Sequence, residues 1–306
     1  MERIPLSQHC SYRIGGPARY FCAAADAAEL TEAVMLSRSQ QLPFLMIGGG
    51  TNLLISDAGF SGVVARLDAH AVRVEGTSLI ADAGALMADV VAYAAARGLT
   101  GLEWAGGLPG TLGGAIRGNA GAFSGETKDS VTEVTSLNIR NAVPTVKSRD
   151  RRGCRFGYRT SVFKEGGEEI ILAAQLQLGK GDPGRIRAAT EEKIQYRLER
   201  HPMEYPNVGS IFKNVALDSV PAAAHARFAA VVKTDPFPVI PAAYLIAQAG
   251  LKGISHGGAM ISPKHPNFIV NVLAASAADV KALIGLVKAT VAEKFSIGLE
   301  EEIMYV

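Results

Sequence analysis

The sequence predicts an α+β protein of more than one domain, and three observations predict it. The chain has 306 residues, and length alone points to roughly two domains of about 150 residues each. Over its first 180 residues, short strand-like runs and helical stretches alternate around glycine-rich loops. After "GKGDPGR" (179–185) the character changes to a highly charged helix and then to a second set of elements.

The elements follow in order. Glu29 to Gln41 has apolar residues at Leu30, Val34 and Leu36 and reads as a weak helix. "LPFLMI" (42–47) is a short apolar run ended by Gly48, Gly49 and Gly50, a buried strand entering a tight loop. "VVARL", "VRVEG" and "SLIADAG", between 63 and 84, alternate as strands do. Met87 to Leu99 is an alanine-rich helix closed by Gly98. "EVTSLNI" (133–139) and "EIILAAQLQL" (169–178) are further strands. Asp182 before Pro183 is a cap followed by a first-turn proline, so a helix runs on through "GRIRAATEEKIQYRLER" as an exposed connector, with a domain boundary near 180–190. "PAAYLIAQAG" is a helix stopped by Gly250, "FIVNVL" (268–273) is a strand, and Ser276 with Asp279 starts a capped helix ending near Phe295.

Composition narrows the function. Hydrophobic residues at 48% and charged residues at 20% describe an ordinary globular chain rather than a disordered one. A formal net charge of +2 gives no surface suited to nucleic acid or anionic membrane, so neither partner is expected. Cys10, Cys22 and Cys154 form no C-x-x-C pair and read as reduced thiols of a cytoplasmic protein. The six histidines show no ligand spacing, so no metal is expected. The N-terminus "MERIPLSQHC" has no apolar signal core, and no apolar stretch is long enough for a membrane span. The basic run "RDRRGCR" (149–155) reads as a solvated loop, with a phosphate contact left open by its place before "FGYRTS".

Two glycine loops carry the chemistry, "IGGGTNLL" (47–54) and "GGLPGTLGGAI" (106–116). Glycine lets backbone N–H groups approach a phosphate closely, and two such loops in one α/β region make a dinucleotide plausible. The usual fingerprints fail. Leu53 stands where G-x-G-x-x-G needs glycine, and Lys180 is followed by Gly181 where a P-loop needs serine or threonine. Ser210 to Lys213 fits S-x-x-K, the motif of penicillin-recognising acyl-transfer enzymes, but the partner strings S-D-N and K-T-G are absent.

Eight motifs in order identify a family. "SYRIGGPARYF" (11–21), "IGGGTNLLISDAGFSGVV" (47–64), "GLPGTLGGAIRGNAGAF" (107–123), "FGYRTSVF" (156–163), "PNVGSIFKN" (206–214), "LIAQAGLKG" (245–253), "ISPKHPNFIVN" (261–271) and the closing "GLEEEI" span residue 11 to about 303. Together they resemble the UDP-N-acetylenolpyruvoylglucosamine reductase family, flavoenzymes of bacterial peptidoglycan precursor synthesis. The resemblance implies a two-subdomain FAD-binding module of the vanillyl-alcohol-oxidase type plus a smaller α/β substrate-binding domain. The expected division is 1–65 and 66–182 for the FAD-binding subdomains, 183–298 for the substrate domain, and 299–306 for a tail returning to the active site. It further implies bound FAD, NADPH as reductant and a UDP-sugar as substrate, in a cytoplasmic monomer.

The resemblance also implies the site. FAD would lie on Ile47, Gly48, Gly49, Gly50, Thr51, Asn52 and Leu53, and on Gly110, Thr111, Gly113, Gly114 and Ala115. Hydride would go from the flavin to C3 of the enolpyruvyl group. Arg159, with Glu302 protonated so that it can donate, would stabilise the charge developing in the carboxylate. Ser210 would then protonate C2, with Tyr158, Lys213 and Asn214 binding substrate. Glu302 is preferred to Glu300 and Glu301 because Ile303 follows it. Four departures from the family pattern are Val215 in place of a common proline, a long segment from Ala216 to Ile240, Arg117 in an apolar slot, and an end at Val306. No tyrosine-bearing insertion is present, so the chain resembles the shorter branch. A different FAD oxidoreductase, or a nucleotide-binding protein without catalysis, are the alternatives; flavin content and NADPH turnover separate them.

Overall fold

Pro43 has no N–H to give to a ladder, so the apolar run from Leu42 becomes a strand only at Phe44. In the computed structural model, which describes residues 4–222, 225–234 and 237–306, the chain divides into two compact units, each assembled from separated segments.

The first unit comprises Ala18–Gly49 and Phe60–Arg197, with Ile4. Strands β1 (Ala18–Ala24), β2 (Phe44–Ile47) and β3 (Phe60–Leu67) form a parallel sheet in the order β1-β3-β2. Helix α1 (Ala27–Ser39) makes the crossover that parallel strands require. Asp26 caps it, accepting the N–H groups of Ala28 at 2.8 Å and Glu29 at 3.0 Å. A second, antiparallel sheet holds β4 (Val72–Glu75), β5 (Ser78–Asp82), β6 (Val131–Asn138), β7 (Thr145–Asp150) and β8 (Glu169–Gln177), in the order β7-β6-β8-β5-β4. Helices α2 (Met87–Ala96) and α3 (Leu112–Arg117) lie between β5 and β6 in sequence. Leu30, Val63, Leu79, Val90, Leu112, Ile116, Val134, Phe163 and Leu176 share one buried core, which removes their apolar area from water and drives the unit together.

Strand β7 takes Arg149 and Asp150 out of the basic run, whose remainder, 151–155, is the largely exposed turn that the sequence implies. Arg149 lies in an edge strand, and its guanidinium grips Glu169 of β8 through Nε–Oε2 at 2.9 Å and Nη2–Oε1 at 2.6 Å. That fork is therefore committed to a carboxylate within the sheet. Burial on its own would raise the Glu169 pKa, but hydrogen bonds from Arg149, Lys147 and Ser136 outweigh it and hold the carboxyl down to about 2. Helix α4 (Pro183–Arg200) starts as its sequence implies, with Asp182 accepting the N–H of Arg185 at 2.8 Å. Ile186 is its one buried residue, and the first unit ends within it at Arg197.

The second unit takes Pro5–Pro17, Gly50–Gly59 and Leu198–Val306. Its antiparallel sheet is β9 (Ser255–His256), β10 (Ala259–Ile261) and β11 (Ile269–Asn271), with helices α5 (Ala242–Gln248) and α6 (Ala277–Phe295). Val280, Leu283, Ile284, Val287, Val291 and Phe295 make the buried stripe of α6 at the spacing of one helical face. Tyr12, fully buried, donates to the carbonyl of Ile269 at 2.8 Å, and Asn271 Nδ2 donates to the carbonyl of Tyr12 at 3.0 Å. Residues 216–240 leave and return through a two-residue ladder, Val215 opposite Ile240 and Ala216 opposite Val239. Within that excursion, 223–224 and 235–236 lie outside the described residues. No helix among the described residues is long and apolar enough to cross a membrane.

Candidate active site

Strand β2 delivers Ile47 into the core and stops at Gly48, where the first glycine segment begins. A Cβ built on Gly48 would stand 2.7 Å from Thr111 Oγ1, so only glycine lets the two glycine segments meet. Thr111 caps α3, its Oγ1 accepting the N–H of Gly114 at 3.3 Å. Gly110, at φ +96°, turns the chain into that cap and accepts the N–H of Met87 at 3.0 Å. Gly113 is also required, since a Cβ there would lie 2.9 Å from that of Ala83. The second segment is thus only half a loop, because Gly113, Gly114 and Ala115 belong to a helical turn seated on Ala83. Gly49 and Gly114 are exposed beside the Gly48–Thr111 contact. Side-chain-free, accessible backbone of this kind fits the diphosphate of a dinucleotide.

Gly50, Thr51, Asn52 and Leu53 fall in the second unit. Gly50, at φ +63°, packs so closely on the backbone of His9 that a Cβ would sit 2.1 Å from its carbonyl oxygen. Asn52 Nδ2 donates to the carbonyl of Glu302 at 3.0 Å, and the Asn52 carbonyl accepts the N–H of Met304 at 2.9 Å. Leu53 pairs in parallel with Met304. The end of the first glycine loop and the C-terminal tail therefore form one piece of structure.

Tyr158 and Arg159 belong to the first unit, on a turn closed by the Gly157 N–H to Thr160 carbonyl bond at 3.0 Å. Asn119, completely buried, donates from Nδ2 to the Gly157 carbonyl at 2.9 Å and accepts the N–H of Lys128 at 3.0 Å. Arg159 itself has φ +57°, a left-handed conformation that costs a non-glycine residue on the order of 1 kcal/mol or more and clusters at functional sites. Its Nη2 donates to the Gly121 carbonyl at 3.0 Å, and its guanidinium carbon lies 5.3 Å from the centre of the Tyr158 ring.

Ser210 and Glu302 are built in the second unit, on two extended segments joined by an isolated β-bridge. Phe212 bridges Glu301 in antiparallel fashion; the Glu302 N–H donates to the Ile211 carbonyl at 2.8 Å and the Lys213 N–H to that of Glu300 at 2.9 Å. Asn267, buried, holds the other side of the same stretch. Its Oδ1 accepts the N–H of Phe212 at 3.0 Å, its Nδ2 donates to the Phe212 carbonyl at 2.9 Å, and its carbonyl accepts the N–H of Ile211 at 2.8 Å. Of the three tail glutamates, Glu300 is paired with the Lys213 ammonium, while Glu301 binds Lys288 at 2.7 Å and the hydroxyl of Tyr305. Burial would raise the Glu301 pKa, but the bonds from Lys288 and Tyr305 prevail and lower it. Asn214 Oδ1 accepts the N–H of Ala242 at 3.2 Å and so opens helix α5.

Residues 201–306 match the family model for the C-terminal domain of UDP-N-acetylenolpyruvoylglucosamine reductase, and residues 18–141 match an FAD binding domain. The UDP-N-acetylenolpyruvoylglucosamine reductase of Caldanaerobacter subterraneus subsp. tengcongensis is 39% identical over 303 residues, covering 99% of this chain and 92% of that one. The chain belongs to the UDP-N-acetylenolpyruvoylglucosamine reductase family. The reductase of Solibacter usitatus is 34% identical over 302 residues, covering 99% and 95%. The crystal structure of the reductase from Thermus caldophilus superposes with a TM-score of 0.78 at 29% identity, covering 99% of this chain and 98% of that one. These matches bear out the expected α+β class with an FAD-binding module and a smaller second domain.

Sequence reasoning placed Ser210 and Glu302 in separate family motifs; the segments that carry them are bridged at Phe212 and Glu301. It passed over Asn119 and Asn267, although both sit inside quoted motifs of the reductase family. A buried asparagine is uncommon unless each of its polar groups is engaged, and that is the signal by which both could have been found.

Proposed function

We propose that this chain reduces UDP-N-acetylglucosamine enolpyruvate to UDP-N-acetylmuramate, with NADPH as reductant and FAD as bound cofactor, in cytoplasmic peptidoglycan precursor synthesis. The observation that carries the reading is the pairing of Ile211–Lys213 with Glu300–Glu302, which joins the backbone segments carrying the serine and the glutamate of two family motifs. Gly48, Gly49, Gly50, Thr51, Asn52 and Leu53, with Ile47 behind them, and Gly110, Thr111, Gly113, Gly114 and Ala115 would hold FAD. The chemistry FAD supplies when bound is delivery of the NADPH hydride equivalent to C3 of the substrate.

The residues of this chain do the rest. Adding hydride to C3 converts the C2–C3 double bond to a single bond and leaves an electron pair at C2, conjugated with the adjacent carboxylate. Arg159 offers that carboxylate a planar fork of donors, and a protonated Glu302 offers one more. Ser210 gives its hydroxyl proton to C2, forming the C–H bond, and recovers a proton from solvent. A serine is a weak acid, but the carbanionic carbon is a strong base and fixed geometry supplies the remainder. Lys213, Asn214 and Tyr158 bind the substrate, and Lys213 steadies the transient alkoxide. The chain works as a monomer, divided by role at 1–65, 66–182, 183–298 and 299–306.

The test is Ser210→Ala in rapid-mixing kinetics. Bleaching of the flavin by NADPH is expected to survive, while its reoxidation by the enolpyruvyl substrate falls by about 10²–10⁴-fold. Equal loss of both half-reactions, or of neither, would remove Ser210 from the role.

A further inference from the structure

Ser210 stands between two asparagine side chains, and the contacts of both are with backbone. On its N-terminal side, Asn207 Oδ1 accepts the N–H of Gly209 at 3.0 Å, while its Nδ2 donates to the carbonyls of Tyr205 at 2.8 Å and Pro202 at 3.2 Å. One side chain thereby folds the entire approach from Pro202 to Gly209, and Gly209 completes the turn at φ +81°. On its C-terminal side, the Asn267 side chain grips the backbone of Phe212 through two hydrogen bonds, while the Asn267 main-chain carbonyl accepts the N–H of Ile211; Ile211 and Phe212 are both fully buried. The same Ile211 presents its carbonyl to the N–H of Glu302. Ser210 is the residue left between the two brackets.

The hydrogen bonds of both side chains go to backbone groups of other residues, so each acts through the chain that holds Ser210 and neither is a catalytic residue. We propose that Asn207 and Asn267 are positioning residues that fix the Ser210 hydroxyl for proton delivery, Asn267 also registering, through Phe212, the bridged tail segment that carries Glu302. The inference rests on the reading of Ser210 as proton donor. Its physical basis is the steep dependence of proton transfer on placement: a displacement of about 1 Å in a reacting group costs on the order of 10²-fold in rate.

The two brackets predict different things from a purely structural role. Asn207→Ala is expected to keep flavin reduction by NADPH and the equilibrium affinity for the enolpyruvyl substrate. Reoxidation by that substrate should slow by about 10²-fold, with an enlarged solvent deuterium isotope effect as proton delivery becomes limiting. Asn207→Asp retains the acceptor for the Gly209 N–H and should recover part of the rate. Amide exchange at Gly209 should quicken in Asn207→Ala, independent of any turnover. In a Ser210→Ala background, Asn207→Ala should add nothing further, because the group it positions is gone. Asn267→Asp tests the second bracket; should it not yield folded protein, the Asn207 variants carry the test.

Reoxidation unchanged in Asn207→Ala, alongside its collapse in Ser210→Ala, would overturn the positioning inference and leave the Ser210 reading standing. The same factor lost from Asn207→Ala in both backgrounds would also overturn it. Intact reoxidation in Ser210→Ala would remove the donor reading, and the positioning inference with it.

Discussion

Arg159 occupies a backbone conformation that arginine rarely adopts, and the turn around it is held by a buried asparagine and the Gly121 carbonyl. Arg159→Gly would relax φ, offsetting the hydrogen bond it loses. Its melting temperature should therefore stay close to the parent, while reoxidation by the enolpyruvyl substrate drops about 10²–10³-fold. A variant that melts far earlier, or one that turns over normally, contradicts this. Glu169 gives a second residue-scale test. Its carboxyl ionises near 2 in the fold against an ordinary 4.5, so its stabilisation is fully present above pH 4.5 and is lost as pH falls toward 2. Glu169→Gln should cost on the order of 2 kcal/mol at neutral pH in urea melts, with the gap from the parent closing through that acid window. Motif order brought Ser210, Lys213, Asn214 and Arg159 forward as candidates. It could not expose the Arg149–Glu169 pair, because which strands lie side by side is decided by the folded sheet.

Helix α6 shows what is legible in an element and what is not. Its capping box was readable from Ser276 and Asp279, and both halves form, Asp279 N–H to Ser276 Oγ at 3.0 Å and Ser276 N–H to Asp279 Oδ2 at 2.9 Å. A second cap was unreadable. Asp57 accepts the N–H of Ala277 at 2.8 Å and of Ala278 at 3.3 Å from far away in the chain. Asp57→Ala should lower unfolding free energy by about 1 kcal/mol, seen as a shifted urea midpoint with unchanged slope; no shift would mean solvent replaces the cap without loss. Helix α3 was read as loop because glycine-rich sequence has low helix propensity, and only its seat on Ala83 explains the glycine. Strand β7 escaped notice because an exposed edge strand carries little apolar alternation.

Across the whole molecule, each compact unit is assembled from segments separated in the chain. The second unit draws in residues 5–17 and 50–59, which arrive through Tyr12, Asn52 and Asp57. Long-range threading of that kind leaves no periodic mark in a sequence, although the family resemblance ran correctly through all of it. The central claim joins these scales: one chain holds FAD on glycine backbone and delivers hydride and proton to an enolpyruvyl sugar nucleotide. The most direct test is the visible absorbance of the purified protein, recorded anaerobically, then after NADPH, then after UDP-N-acetylglucosamine enolpyruvate. The account predicts a flavin spectrum that bleaches with NADPH and returns with the sugar nucleotide in a 1:1 amount, as expected for one two-electron transfer per flavin. A colourless protein that cannot be reconstituted with FAD, or a bleached flavin that the sugar nucleotide fails to restore, would contradict it.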